Sequence, residues 1–455
     1  MSNLLEDASI VITPTGYDNG TINATLPIPA LGLDADLDFT RNGSANRTDS
    51  DGLVKSVSAN IPRIDYSGQG NEFVDIGGVQ TYRYVLGNLY PFEDPRGTYL
   101  FESQSTNKIE YSEDFSNASW IKKNSTVVSS NILNPKGEAG CYEYVADDYT
   151  GNDQYIRIGN TTYDNDLVQT YSFYVKYSTK QYLKLSSVNF NNTDNFVVNF
   201  DVLNGVKVDD SSTGTPIDTG FSIEEVFNGW HRISITAGLA SAPGDSMNFE
   251  LNFTDSATPT WDSFGRVTQT TTTSDKVYIW GAQLEEGNLT SYIPTEAATS
   301  TRLADKASKS NVGSFINSEE GTMIIEGFSS GTDGQITLSN GTPQDTMQIR
   351  FLSGDKIIFI SKLNNSGTSF IQSTSKLINV FYNIAVTWKT NEFKLYIDGA
   401  LAGSGTGTVA AANTYNRLGL DRGNSGGSFF QGGFAKLEVW EKALTAAEIA
   451  CQNTI

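Results

Sequence analysis

Along most of this chain, apolar and polar side chains alternate one for one, the period of a half-buried β-strand. MNFELNF is the cleanest case: Met247, Phe249, Leu251 and Phe253 face one side, and Asn248, Glu250 and Asn252 the other. NFVVNFDVLNG places Phe196, Val198, Phe200 and Val202 on one face and then reaches Asn204-Gly205, a pair that predicts a type I′ hairpin turn. TYSFYVKYS, QYLKLSS and WHRISIT add three more strands, so residues 108–293 read as one antiparallel sandwich. A second group fills residues 313–455. In YNIAVTWKTNEFKLYIDGALAGSG, Ile384, Val386 and Trp388 pair with Leu395 and Ile397 across a hairpin, with a further turn at Asp398-Gly399. FAKLEVWEKALTAAEI is a last strand followed by a short helix, for which Thr445 and Glu448 have capping-box spacing. The predicted fold is all-β: two antiparallel β-sandwiches, or jelly rolls, in tandem.

Between the two groups, KVYIWG alternates, with Val277 and Ile279 on one face and Tyr278 and Trp280 on the other. Gly281 and Gly287 then bracket an expected turn that would hold Glu285 and Glu286, and Pro294 ends regular pairing. Residues 294–312 are rich in Ala, Ser, Thr and Lys with few large apolar side chains, which predicts a linker. Residues 1–107 are irregular, with short apolar pieces such as Ile10–Ile12 and Leu53–Val57 divided by Gly, Pro, Asn and Asp.

Length, charge and cysteine content narrow the function classes. At 455 residues, several domains can each bury a core. The net charge of −21 argues against nucleic acid and against an anionic membrane surface, both of which need clustered Lys and Arg. No window approaches the roughly 20 apolar residues that span a bilayer, and MSNLLEDASIVITP lacks the basic start of a signal peptide. Cys141 and Cys451, one in each sandwich, are expected to be free thiols.

Little in the sequence points to catalysis. The only histidine, His231, has no Ser, Cys or acid partner nearby in sequence, which argues against histidine triads and multi-histidine metal sites. Glu438 is expected to be a lone outward carboxylate, whereas retaining glycoside hydrolysis needs two about 5 Å apart. The expectation is a protein that is not an enzyme. No cofactor is indicated beyond a structural calcium ion, for which Asp147-Asp148 and Asp209-Asp210 are the candidates. Trp120, Trp230, Trp280, Trp388 and Trp440 sit at strand positions and should pack. Trp261 differs: it lies in the polar stretch TDSATPTWDSFGRVTQTTTTS with Phe264 close by. An indole there can stack on a pyranose ring while Asp262 and Arg266 take hydroxyls, or it can fold over the sandwich edge. The loop DRGNSGGSFFQGG offers Arg422, Asn424, Phe429 and Phe430 in the same role.

Several of these stretches also resemble known families. WGAQLEEG, followed by SYIPT and by T-R-x-A-D at 301–305, resembles a joint found in bacteriophage tail-fibre and head-fibre-like virion proteins. Phe39 with Arg41, Asp51-Gly52-Leu53, and Pro62-Arg63 with Tyr66 are similar to the N-terminal part of such fibres. From Tyr111–Trp120 through Trp230 to Trp280 the chain resembles their carbohydrate-binding-module-like jelly rolls. V-T-W, L-Y-I-D-G, G-G-F-x-K-L-E-V-W and A-L-T-x-x-E-I resemble the laminin-G-like, concanavalin A-type lectin and glucanase fold.

The resemblance implies a structural virion protein, a tail or head fibre or decoration, assembled in the host cytoplasm and displayed on the particle. It would bind host-surface glycans and form homo-oligomers, with a trimer as in fibres. Residues 1–107 would attach it to other capsid or tail proteins, or else lie as strands on the next domain, held by buried Arg–carboxylate pairs. Two alternatives stay open: a glycan depolymerase whose site is assembled from loops or subunits, and a purely structural capsid decoration.

Overall fold

The computed structural model describes residues 7–26, 34–67, 71–76, 79–84, 97–158, 161–162, 168–189, 193–239, 246–262, 264–330, 334–352, 356–374, 380–424 and 426–452. Strand makes up 54% of it and helix 4%, an all-β protein of antiparallel sheets. Among the described residues no helix is long and apolar enough to cross a membrane.

The first sandwich stacks a six-stranded sheet on a seven-stranded one. The six-stranded sheet runs Ser125–Leu133, Ala139–Ala146, Lys276–Glu286, Gln169–Tyr177, Trp230–Gly238, Ile217–Glu225. The other runs Trp120–Lys123, Tyr155–Ile158, Ser246–Thr254, Tyr182–Asn189, Asn195–Asp201, Val206–Thr213, with Thr161–Thr162 beside Ser246–Thr254. The alternating residues read from sequence meet between the sheets: Leu185, Val198 and Leu251 from one, Phe173, Ile233 and Ile279 from the other. Their partners on the alternate positions point away from this core.

Two expectations change here. The 202–205 turn is a four-residue loop and not a type I′ pair, because only Gly205 of Asn204-Gly205 has positive φ, 67°. Asp201 Oδ1 holds it open by accepting from the backbone N–H groups of Leu203 (3.1 Å) and Asn204 (3.0 Å). Gly281 does not end its strand. It sits in the middle of Lys276–Glu286 with φ 56°, opposite a register shift between Ser172 and Tyr174, and so forms a bulge. A Cβ there would come within 3.0 Å of Tyr174 and 3.2 Å of Tyr292. Glu285 is therefore a strand residue. It is fully buried, accepting from Ser105, Gln283 and Thr290.

The second sandwich is built from both ends of the chain. Its eight-stranded sheet runs Ala400–Gly405, Glu392–Ile397, Tyr382–Lys389, Gly321–Ser329, Gly432–Trp440, Thr98–Phe101, Ile64–Asp65, with Ile10–Ile12 also on Gly432–Trp440. The nine-stranded sheet begins with Tyr17–Asp18, Thr21–Ile22 and Leu37–Thr40 and continues through Lys306–Ser310 and Arg417–Gly419. Gln335–Ser339, Thr346–Leu352, Lys356–Leu363 and Ser366–Gln372 complete it. Ile10, Ile12, Leu37, Phe39, Tyr99 and Phe101 share one core with Met323, Trp388 and Val439. The helix Ala446–Gln452 closes over the outer side, begun by the expected reciprocal bonds between Thr445 and Glu448.

This topology corrects the linear division of the chain. Residues 1–107 were expected to be an attachment segment or strands laid on the next domain. Of their described strands, Ile10–Ile12, Tyr17–Asp18, Thr21–Ile22, Leu37–Thr40, Ile64–Asp65 and Thr98–Phe101 join the second sandwich, while Ala45–Thr48 with Val54–Val57, and Asn71–Ile76 with Val79–Tyr84, form separate hairpins. Residues 294–312 were expected to be a linker, yet Lys306–Ser310 is an interior strand of the nine-stranded sheet. The apolar content of that stretch is low because only Ala307 and Val312 of it enter the core of the second sandwich. The first sandwich is thus inserted into the second. The chain leaves through Ser105–Asn107 and returns through Ser300–Arg302, and these two crossings pair as an antiparallel ribbon.

Beside the ribbon lies a buried ionic node made of the arginines noted in the sequence. Arg41 Nη1 donates to Asp305 Oδ1 at 2.9 Å, and Arg63 donates to the other oxygen of Asp305 and to Glu102 Oε2 at 2.6 Å. Arg302 approaches Glu102 at 3.4 Å. Burial alone would push the Glu102 carboxyl up, but Arg302, Arg63 and two bonds from Ser291 hold it down to about 2. The node explains why T-R-x-A-D, P-R and F-x-R occur together: they are one contact.

Candidate functional site

In each sandwich a loop folds over the polar, outward face of one sheet. On the seven-stranded sheet that face is set by register. Arg157, Glu250, Ser186 and Val197 lie side by side, and the next row holds Asn252, Lys184, Asn199 and Asp209. The connection after Thr254 crosses this face. Asn199 Nδ2 donates to the carbonyls of Ser256 (2.9 Å) and Ala257 (3.0 Å), and Lys184 Nζ donates to that of Gly265 at 3.0 Å. Gly265 has φ 67°, and a Cβ would strike Val197 at 2.7 Å, so the loop seats there because this residue has no side chain.

Trp261, Asp262, Phe264 and Arg266 are all on this loop, and the structure gives them unequal roles. Trp261 is half-buried and its Nε1 donates to Asp209 Oδ2 at 2.8 Å. Phe264 is 40% exposed at the tip, with the Arg266 guanidinium 5.5 Å above its ring. Asp262 is spent on the turn, accepting from the N–H groups of Phe264 (2.9 Å) and Arg266 (2.8 Å) through one oxygen. Beneath the loop, Ser186 Oγ and Asn252 Oδ1 are buried without a hydrogen-bond partner. Burial lowers the Lys184 ammonium to about 8, with Glu250 opposing. A polar face with unmet donors and acceptors, edged by two aromatic rings, can take a ligand of hydroxyls on a flat apolar ring. Lys184, Ser186 and Asn252 gave no signal in the sequence beyond being polar positions of the strands in QYLKLSS and MNFELNF.

The second loop, 421–430, lies over the outward face of the nine-stranded sheet, where Thr337 and Ser339 donate to the carbonyls of Asp421 and Gly423. Phe430 does not belong to a binding surface. It is 1% exposed and packs on Phe101, Phe351 and Phe434 at 6.1, 5.7 and 6.4 Å, because the strand Gly432–Trp440 begins just after it and draws it into the core. Phe429 is half-buried with Lys306 Nζ 4.7 Å above its ring. Asn424 Oδ1 accepts from Gly426 N–H at 3.0 Å, and Arg422 is exposed.

Other candidate residues are committed elsewhere. Asp148 accepts from Thr273 N–H, Asp209 from Trp261, and Asp210 pairs with Lys207. Asp209 and Asp210 lie on opposite faces of their strand, while Asp147 is exposed, its N–H on the Asn124 carbonyl. Among the described residues no group of three His, Cys, Asp or Glu could hold a metal ion. Glu438, expected to point to solvent, is fully buried. Burial raises its carboxyl, Lys436 stands 3.6 Å away, and the same lysine approaches Glu326 at 3.5 Å. Ile10–Ile12 and the C-terminal helix cover that face, which a single alternating strand could not reveal. His231 is buried, which lowers its pKa. Trp120, Trp230, Trp280, Trp388 and Trp440 are all core residues.

The family model described as the concanavalin A-like lectin/glucanases superfamily matches residues 322–450, and this part of the second sandwich is a domain of that kind. No curated protein matches the chain. Among solved structures, it is similar to the heptameric SAP-like pentraxin of Limulus polyphemus (17% identity, 30% of this chain and 70% of that one, TM-score 0.25). It is also similar to the CBM40 of a Ruminococcus gnavus IT-sialidase bound to α2,3-sialyllactose (14%, 30% and 83%, 0.27). A third is domain 4 of AbnA, a GH43 extracellular arabinanase of Geobacillus stearothermophilus, in complex with arabinotriose (15%, 36% and 82%, 0.28). At these identities and TM-scores they bear on neither ligand nor activity.

Proposed function

We propose that this protein is a non-enzymatic glycan-binding protein carried on a bacteriophage particle. One observation carries the binding reading: the 255–266 loop brings Trp261, Phe264 and Arg266 to the edge of a polar sheet face whose Ser186 and Asn252 have unmet hydrogen-bonding atoms. The lectin/glucanase match of residues 322–450 agrees with it. The non-enzymatic part rests on the carboxylates: Glu438 and Glu326 share Lys436 beneath other elements, and Glu285 is enclosed by hydroxyls and amides. The virion setting rests on the sequence resemblance of the joint and of the N-terminal arginine motifs to phage fibres. In that setting the chain meets capsid or tail proteins, and many copies, as oligomers, turn weak single contacts into avidity.

The test is to titrate the purified full chain against a panel of bacterial surface polysaccharides and assay the same mixtures for new reducing ends. Binding without cleavage is expected. Released reducing ends would replace this reading with a depolymerase, and a flat panel with a pure structural decoration. Gold-labelled antibody to the second sandwich should decorate purified particles.

A further inference from the structure

The nine-stranded sheet carries a second patch, of which the sequence marked only Arg422. Phe370 is 60% exposed, the most exposed large apolar side chain among the described residues. It stands on the outward face of Ser366–Gln372, since its neighbour Ile371 enters the core. Across the sheet it pairs with Ile360, which in turn pairs with Gln348, so the three form one row. Two positions from Ile360, on the same face, is Lys362, opposite Thr346. Thr346 is also where the second loop closes down: a Cβ on Gly423 would lie 3.2 Å from its methyl, which brings Arg422 over the same corner.

The polar groups here are unevenly served. Among the described residues neither Lys362 nor Arg422 has an acidic partner, in a chain whose net charge is −21. The carboxylates of the adjoining loops are already engaged: Asp421 by Arg417 at 2.9 Å, Asp345 by Asn340 and by the N–H of Asn364. Burial, then Arg350 and Arg422, lower the pKa of Lys362, so these cations feel one another. Gln348 is 1% exposed; its Nε2 donates to Thr346 Oγ1 at 2.8 Å while its Oε1 accepts nothing. Two cations without counter-charge, a buried acceptor and a flat exposed ring ask for a ligand with an anion, a hydroxyl and an apolar face.

We propose that this face binds an acidic saccharide, with its ring against Phe370, its carboxylate between Lys362 and Arg422, and a hydroxyl donating to Gln348 Oε1. Arg422 offers the planar fork that matches a carboxylate, and Lys362 adds a point charge. The overall negative charge does not forbid this, because at physiological salt charges beyond about 8 Å are largely screened. The proposal shares the glycan-binding reading but uses a different site from the Trp261 loop, so the two can fail separately.

The probes are an oligogalacturonide and its methyl ester, which keep one backbone and differ in charge. They are titrated by calorimetry into the full chain and into Lys362→Gln, Arg422→Gln, Phe370→Ala and Trp261→Ala. The first three positions are exposed or half-exposed, and melting curves check that each variant folds. The acid should bind about tenfold or more tighter than the ester, weakening with added salt. Lys362→Gln, Arg422→Gln and Phe370→Ala should each lower acid affinity by about tenfold, a larger loss than in Trp261→Ala. Equal binding of acid and ester, or acid binding that these three variants do not alter, overturns the proposal. So does failure of the acid to bind while neutral polysaccharides still bind through Trp261, which leaves the broader reading standing. If neither acidic nor neutral saccharide binds, both fall.

Discussion

Single residues decide which of the aromatic positions are available to a ligand. Phe429 and Phe430 are neighbours in one loop, yet only the second enters the core, and Phe370 beside Ile371 points outward while its neighbour points inward. Nothing in a loop's composition tells which of two adjacent rings will be buried, because that depends on where the next strand begins. In a strand the rule of alternation does tell: once Ile371 is inward, Phe370 must be outward. Trp261 was legible for the opposite reason, being out of step with any core pattern. Phe430→Ala should destabilise the second sandwich by about 3–5 kcal/mol, as expected for truncating a fully enclosed ring. Phe370→Ala should change stability by less than about 1 kcal/mol. Urea midpoints of the two variants check this, and a Phe430→Ala protein as stable as the wild type would remove it from the core.

At the scale of elements, strands were readable wherever one face is apolar, and the tandem sandwiches follow from that count. What could not be read was partnership. Ile10–Ile12, Leu37–Thr40 and Lys306–Ser310 are too short to show a period, and their membership of the second sandwich rests on pairing with strands hundreds of residues away. Lys306–Ser310 is nearly devoid of large apolar groups because its neighbours fill the core around Ala307. One consequence reverses a natural guess from the sequence. Residues 313–455 look self-contained, but alone they lose Lys306–Ser310, Thr98–Phe101 and Ile10–Ile12, and they expose Phe430 and Phe434 where Phe101 packs. Expressed alone, the fragment should be aggregated or lack a cooperative melt, whereas the full chain melts cooperatively. A monomeric fragment with an all-β circular dichroism spectrum and a sharp melt would contradict the inserted topology.

The whole molecule is a sandwich inserted into a sandwich, fastened where the two crossings meet the Arg41–Arg63–Arg302 node. Each arginine was visible in a short motif, but that three distant motifs share Asp305 and Glu102 is a property of the closed chain only. Glu102 has its folded pKa lowered from 4.5 to about 2, so its contribution is present above pH 4.5 and is lost as pH falls towards 2. Glu102→Gln should therefore be less stable than wild type at pH 7, and the difference should shrink as pH falls through that window, read from urea midpoints at each pH. A difference that is constant with pH would deny the node this role. This fixed frame holds the loop-covered sheet faces in one arrangement, and the claim that matters most is that the Trp261 face binds glycan. It is tested most directly by titrating a polysaccharide that the wild type binds into Trp261→Ala and melting the same variant. The account predicts an affinity loss of about 1–3 kcal/mol with a small change in melting temperature; unchanged affinity with a clearly lowered melting temperature would make Trp261 a cover for the sheet and contradict it.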